Sequence, residues 1–473
     1  MGDSIDKSRF PLLYAVDEYI KKGRVRMHTP GHGGRQNDAL AIFNDILKYD
    51  ITELDGLESL YSDMGAIAAS ERYAADVLGV KKLLYSTGGS TLCIQSMLYL
   101  AAGEGGRVIF AGGLHKSAIN ACILLNITPV FIKSLDDFTC MKAEAILREY
   151  NDVKAIYITN PDYYGRIYNT AKLYELCCNY NIPLLVDGAH GAHLSCFDKS
   201  INPLHMGASM TAQSAHKTLP ALTGGAWLCI HEDRYLHNAK YAMSMFGSTS
   251  PSYLIMLSLE LAVNWLKDYG KESFGRIADE CSSIKGKALQ YGFDVYNGLS
   301  DPARITLNTS RLGISGEAAA KLFRECGIEP EMYDGNNIVF ILSAFLKHND
   351  FELLKSAICF IGEKYLADTS SQSDFTVKNR LGKDYSITDT NTEIYEEKAF
   401  SYGKCIDMQM SPRAASLLDF EEVGCEAACG RIAAEIICPC PPGTPITIPG
   451  GIIDERASAA LKSCGIFTVK VVK

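Results

Sequence analysis

In the stretch SAHKTLPALTGG, Lys217 stands where an apolar run gives way to a loop of small residues, with His216 immediately before it. An amine partly withdrawn from water beside a second cationic group loses its proton more easily, and a neutral lysine can form a Schiff base with an aldehyde. A lysine taken at random is a solvated surface charge, so the reading needs support from elsewhere in the chain. Thirty residues earlier, IPLLVDGAHGAH sets Asp187 directly after another apolar run. A carboxylate in such a place is buried enough to call for a cationic partner, and a protonated ring nitrogen serves; the plainer reading is a cap on the following turn. The stretch STGGST, Ser86 to Thr91, lies between the run KKLLY and a segment of helical periodicity. A glycine turn entering a helix points free backbone N–H groups toward a phosphate, at the positive end of the helix dipole and with hydroxyl donors alongside. Alone, it reads more readily as an N-cap serine after a flexible turn.

These groups need a scaffold that brings them together. From about residue 80 to 230, the short apolar runs KKLLYS, RVIFAGG, PVFIKS, VKAIYIT, IPLLVD, SMTAQS and GAWLCI alternate with segments such as STLCIQSMLYLAA and AKLYELCCNY. The pattern predicts an α/β fold, a mostly parallel sheet with helices on both faces, whose ligands bind at the carboxyl ends of the strands. An N-terminal arm and large cofactor-binding domain are expected over 1–290, with a long helix over 255–285, and a smaller α/β domain over 291–366. A polar linker or excursion over 367–398 leads to a C-terminal domain over 399–473, in which FEEVGCEAACGRIAAEII reads as helix before the Pro-rich CPCPPGTPITIPGG.

A chain of 473 residues is too long for one simple core. Its net charge of −9 leaves no electrostatic footprint for nucleic acid or an anionic membrane. The sixteen cysteines are scattered without metal-ligand spacing, which reads as free thiols in a reducing cytosol and no metal site. The N-terminus MGDSIDKSRFPLLYAV has no basic segment leading into an apolar stretch, and no run is long enough to span a bilayer, so a cytoplasmic protein is expected.

A phosphate loop, an acid for a ring nitrogen and a lysine for an aldehyde, in that order, fit pyridoxal 5′-phosphate with one protein group for each polar handle. Here the chain resembles the Orn/Lys/Arg decarboxylases, fold type I pyridoxal-phosphate enzymes with an aspartate aminotransferase-like fold. The likeness covers nearly the whole length: HTPGHGG from His28, YDITELDGLESLYSDMGAI from Tyr49, GLHKS from Gly113, NPDYYG from Asn160, STSPSY from Ser248, MSPRAA from Met410, ACGRIAAEII from Ala428 and PCPPGTPITIPGG from Pro439. It implies that Lys217 bonds the cofactor aldehyde and Asp187 the ring nitrogen. Ser90 and Thr91 would hold the phosphate, with Gly89 and Ser214 among the cofactor contacts. His115 would stack on the ring, and His216 and His190 would line the pocket. Ser248 and Ser250 would reach the phosphate bound by a second chain, which implies a homodimer or larger assembly. The implied form is the short, biosynthetic one, without a receiver-like N-terminal domain. The implied reaction is decarboxylation of a basic amino acid, arginine or lysine ahead of ornithine, to the amine and CO2, a polyamine-forming step, with Lys217, His216, Asp187 and His115 as the catalytic groups.

The chain departs from the family pattern in two places. Pro449, Gly450 and Gly451 stand where the family reads Pro-Gly-Glu, removing the carboxylate expected to meet the substrate's distal cation, and Asp162 stands where threonine is expected. Asp162, with Tyr163 beside it, is the expected substitute acid, unless the substrate is not strongly cationic. Two other readings stay open. One is a different pyridoxal-phosphate lyase or an aminotransferase, in which Arg413 or another arginine grips the α-carboxylate. The other is a regulatory homologue without catalysis, against which the retention of Lys217, Asp187 and the phosphate loop argues.

Overall fold

The structure is a computed structural model that describes residues 5–132, 135–136, 138–369, 407–438 and 445–473. The seven apolar runs form the seven strands of one sheet: β1 (Lys82–Ser86), β2 (Arg107–Ala111), β3 (Thr128–Ile132), β4 (Val153–Thr159), β5 (Leu184–Asp187), β6 (Met210–Gln213) and β7 (Ala226–Ile230). Their order is β1-β7-β6-β5-β4-β2-β3. β1 and β6 are each antiparallel to β7, and the remaining pairs are parallel, so every strand except β7 points the same way. The carboxyl ends of β1, β2, β4, β5 and β6 therefore share one edge. In the register Asp187 pairs with Thr159 of β4 and with Ala212 of β6, which sets it in the middle of that edge.

Helices on both faces bury the central strands, which explains why LLV of β5 and AWLCI of β7 are apolar on consecutive residues, while β6, MTAQ, is buried along its whole length with Thr211 and Gln213 included. Helix Gly89–Ala102 packs on the sheet and is itself covered by helices Lys116–Leu125 and Ala239–Phe246. The expected long helix exists as Tyr253–Trp265 and Lys271–Gln290, joined through the π-helical turn Leu266–Gly270, with the Ser252 side chain accepting from Ile255 N–H at its start.

A second, fully antiparallel sheet follows, of β8 (Asp294–Val295), β9 (Arg304–Asn308), β10 (Met332–Asp334) and β11 (Asn337–Ile341), in the order β10-β11-β9-β8. Helices Gly316–Glu325 and His348–Thr369 accompany it. The stretch FEEVGCEAACGRIAAEII is not the expected helix. Phe420–Gly424 is a strand, β12, paired antiparallel with β13 (Thr468–Val472), and Gly430 in the turns beyond has φ +80°. Pairing with a segment far along the chain, plus two glycines inside the apparent helix, overrode its helical periodicity. Ile448 packs into the core around helix Gly89–Ala102, docking this C-terminal portion on the central sheet. The expected linker lies outside the described residues from 370 onward, as do residues 439–444 of the Pro-rich stretch. Among the described residues no helix is long and apolar enough to cross a membrane.

Candidate active site

Lys217 is not a freely solvated lysine. The turn after β6 carries it on the short helix Ala215–Thr218, half-buried, with its Nζ 3.1 Å from His190 Nε2. His216, its neighbour, turns away and donates from Nδ1 to Gly225 O at 2.9 Å, so its Nε2 carries the lone pair when the ring is neutral. Ser214, at the carboxyl end of β6, is buried and precedes that helix.

Asp187 ends β5 and is 2% exposed. Its Oδ2 accepts from Tyr157 Oη at 3.1 Å and its Oδ1 from Ala189 N–H at 3.1 Å. The turn-capping role is therefore real, yet both partners are neutral and no protein cation pairs with Asp187 among the described residues. Burial, and then the adjacent Asp187 charge, hold Tyr157 well above the usual phenol range, so its hydroxyl stays a donor. His115 N-caps helix Lys116–Leu125 by accepting from Ser117 N–H. Burial lowers its pKa from the ordinary value; Asp187 opposes that effect, and Lys217 adds to it. Those electrostatic neighbours set His115 on the same edge as Asp187 and Lys217.

The STGGST stretch makes a turn in which Ser86 Oγ donates to Gly89 O and accepts from Gly88 N–H. Gly89, with φ +68°, starts helix Gly89–Ala102 and donates to Gly224 O at 2.9 Å, tying this turn to the TGG loop after Lys217. The N–H groups of Ser90 and Thr91, and their hydroxyls, have no hydrogen-bond partner among the described residues. An exposed helix N-terminus with unspent donors fits a phosphate, and the cationless carboxylate beside a lysine amine fits the ring nitrogen and aldehyde of pyridoxal 5′-phosphate.

Of the remaining expected site residues, Asp162 meets different geometry. Asp162 is 3% exposed and fully engaged: Oδ2 accepts from Arg166 Nε at 2.7 Å and from Tyr168 Oη at 3.3 Å, and Oδ1 from Tyr164 and Arg166 N–H at 2.9 Å each. A carboxylate already neutralised by a buried arginine is not the free acid expected for a distal substrate charge. Tyr163 does approach the pocket, its ring edge-on to His190 with centroids 5.3 Å apart. Ser248 and Ser250 lie exposed beside Tyr61, whose Oη donates to Ser248 O at 3.2 Å.

Arg304 escaped the sequence reading. It sits on β9, 2% exposed, and its Nη2 donates to His190 Nδ1 at 2.9 Å while its Nη1 donates to Tyr163 O at 2.9 Å. A lone arginine inside the apolar strand ARITLN was the available signal, since a strand buried on both faces has no reason to carry one unless it is paired. Behind it, Asp301 Oδ1 bonds His193 Nε2 at 2.7 Å, both side chains 1% exposed.

The class follows from the sheet and the chemistry at its edge: a pyridoxal-phosphate enzyme. Comparison with known proteins makes this specific. The profile of the Orn/Lys/Arg decarboxylase major domain matches residues 10–291, and that of the C-terminal domain matches residues 395–465. The protein belongs to the Orn/Lys/Arg decarboxylase family. An arginine decarboxylase of Halalkalibacterium halodurans is 29% identical over 480 aligned residues, which cover 96% of this chain and 92% of that protein. The inducible lysine decarboxylase of Escherichia coli is 24% identical, with coverage of 96% and 76%. A lysine decarboxylase structure from Francisella novicida superposes with a TM-score of 0.80 at 18% identity, over 98% of this chain and 81% of that one.

Proposed function

We propose that the protein decarboxylates arginine or lysine, with ornithine a weaker substrate, and that Lys217, Asp187 and the Gly89–Thr91 turn hold the cofactor. The carrying observation is the buried, cationless carboxylate of Asp187 on the edge where the Lys217 amine opens. Pyridoxal 5′-phosphate, when bound, supplies the electron sink for the pair released as the α-carboxylate leaves. Asp187 would hold the proton on the ring nitrogen and Lys217 would hold the cofactor through its aldehyde. The Lys217 Nζ, as an amine, would also accept the proton that the substrate ammonium sheds and deliver a proton at the α-carbon. His216 suits that last step less well, because its Nδ1 proton is bound to Gly225 O.

Loss of the α-carboxylate, in preference to its retention in transamination, is supported by where the arginines are. Arg304 spends donors on His190 and Tyr163 O and lies buried, while Arg413 donates to Leu124 O, at the opposite end of helix Lys116–Leu125 from His115. Neither is offered to a substrate carboxylate at this edge.

A homodimer with shared sites is part of the same proposal. Met64 is 75% exposed, Tyr241 61% and Met245 50%, and these apolar side chains flank in sequence the Tyr61–Ser248 contact and the exposed Ser248–Ser250. So is the division into 1–290, 291–366, a linker over 367–398 and 399–473, which the three separate sheets support. A cytosolic location, supported by the unbridged cysteines of the described residues, completes it.

The test incubates the holoenzyme with arginine, lysine, ornithine and a neutral amino acid, and reads CO2 and the amine by mass spectrometry. Agmatine or cadaverine with CO2 is the expected result. Keto acid without CO2 would replace the reading with transamination, and preference for the neutral amino acid would remove the basic substrate, which Gly451 and the engaged Asp162 make the sharpest point of the test.

A further inference from the structure

His190 lies between two groups whose hydrogen-bonding capacities are unequal. Arg304 Nη2 faces its Nδ1 at 2.9 Å and Lys217 Nζ faces its Nε2 at 3.1 Å. A guanidinium only donates and stays charged at any pH the protein survives, so Nδ1 must present its lone pair. The single proton of a neutral imidazole then sits on Nε2, aimed at Lys217. An ammonium has three donors and no acceptor, and two N–H groups cannot bond one another. The contact becomes a hydrogen bond only when Nζ is an amine.

We propose that Arg304 is a positioning residue that locks His190 in the Nε2–H tautomer, so that His190 donates to Lys217 and favours its unprotonated, nucleophilic form before the aldehyde arrives. The inference rests on Lys217 as the aldehyde-bonding lysine and adds the residues that prepare it.

The arginine is built in. Its Nη1 is held by Tyr163 O and, more loosely, by Asp162 O at 3.4 Å; its Nε lies 3.6 Å from Asp301 Oδ2, whose other oxygen bonds His193. Gly165, at φ +84°, leaves room for its stem, for a Cβ there would stand 2.8 Å from Arg304 Cδ. A protonated His190 is opposed on every side. Burial acts first, then the charge of Arg304, then Lys217, His115 and His193, so the imidazole is held well below its ordinary range. The other facing groups are the Tyr163 ring, which is neutral, and, through His115, the carboxylate of Asp187.

The test needs no turnover. On the full chain stripped of cofactor, Lys217 is labelled competitively with acetic anhydride across pH, and its peptide is followed by mass spectrometry to give the midpoint of amine formation. Arg304→Met and His190→Phe should each raise that midpoint by about one pH unit, the size of a single hydrogen bond. The double variant should rise no further than either single one, because both break one chain, and Arg304→Lys, which keeps donor and charge, should stay near wild type. An unchanged midpoint in His190→Phe, or shifts that add in the double variant, would reduce Arg304 to a distant charge and overturn the proposal. If Arg304→Met does not fold, wild type decides: ¹⁵N-histidine spectra, with the His190 signal assigned by its loss in His190→Phe, should show a neutral ring protonated on Nε2. Protonation on Nδ1, or on both nitrogens near pH 7, refutes the lock. Borohydride trapping of a pyridoxyl label on another lysine would instead sink the role of Lys217 itself, so the two failures are distinguishable.

Discussion

Asp187, the last residue of β5, and Asp162, three residues past β4, are both buried aspartates, and the structure treats them oppositely. Asp162 closes a tight turn and meets Arg166 within its own loop, so its charge is spent where it arises. Asp187 receives one neutral hydroxyl and one backbone N–H, and no cation pairs with it among the described residues. Desolvating a carboxylate without a counter-charge is costly, and a fold that does so repeatedly offers that charge to something that arrives later. A paired buried acid reads as architecture, an unpaired one at a strand end as a site.

The contrast can be broken in several ways. The largest effect belongs to the amine that Asp187 serves: Lys217→Ala should abolish turnover and the borohydride-trapped pyridoxyl label while leaving circular dichroism unchanged, and a label at another lysine would remove the assignment. Asp187→Asn should cost several orders of magnitude in rate with the protein still folded, because a neutral ring nitrogen is a poor electron sink; stopped-flow measurement at near wild-type turnover would refute it. Asp162→Asn should act on the other side of the comparison, losing about 3–5 kcal/mol of stability in chemical denaturation because the buried Arg166 guanidinium loses its carboxylate. The ratio of kcat/KM for arginine to that for a neutral amino acid should stay constant. A stable variant with a changed ratio would return Asp162 to the substrate.

A smaller effect is set by buried neutral histidines. His190 is held well below its ordinary range, and burial, with help from His205 and Lys81, pushes His231 down to about 4. The unfolded chain then binds protons first as pH falls, so the stability these rings contribute is present above about pH 6.5 and is lost progressively below it. The melting temperature should fall over that range, more gently in His190→Gln than in wild type. Smallest of all, Arg413→Ala should leave kcat unchanged and shift stability by no more than about 0.5 kcal/mol, as for other surface positions, which a thermal melt and a steady-state assay check together.

Much of the scaffold was legible in the chain itself. Each of the seven runs became a strand, most of them because a strand covered on both faces is rich in consecutive apolar residues, a property legible over a few neighbours. The STGGST turn was legible because glycine at φ +68° and the helix behind it are local features. FEEVGCEAACGRIAAEII misled because its partner, β13, lies far downstream: the register pairs Glu421 with Val471 and Gly424 with Thr468, 50 and 44 residues apart. Arg304 went unread because its meaning lies in His190, 114 residues away.

By itself, then, the order of residues determined the strands, the edge they end on, and which lysine and aspartate stand there, since strand propensity, turn chemistry and helix starts act over a few neighbours. Only the tertiary structure decided which charges are answered. It gave Asp162 its arginine, left Asp187 without one, and ran the line Asp301–Arg304–His190–Lys217 from the second sheet to the edge of the first. Hydrogen bonds and desolvation depend on distances of a few ångströms between groups the chain holds far apart, and no local pattern encodes them.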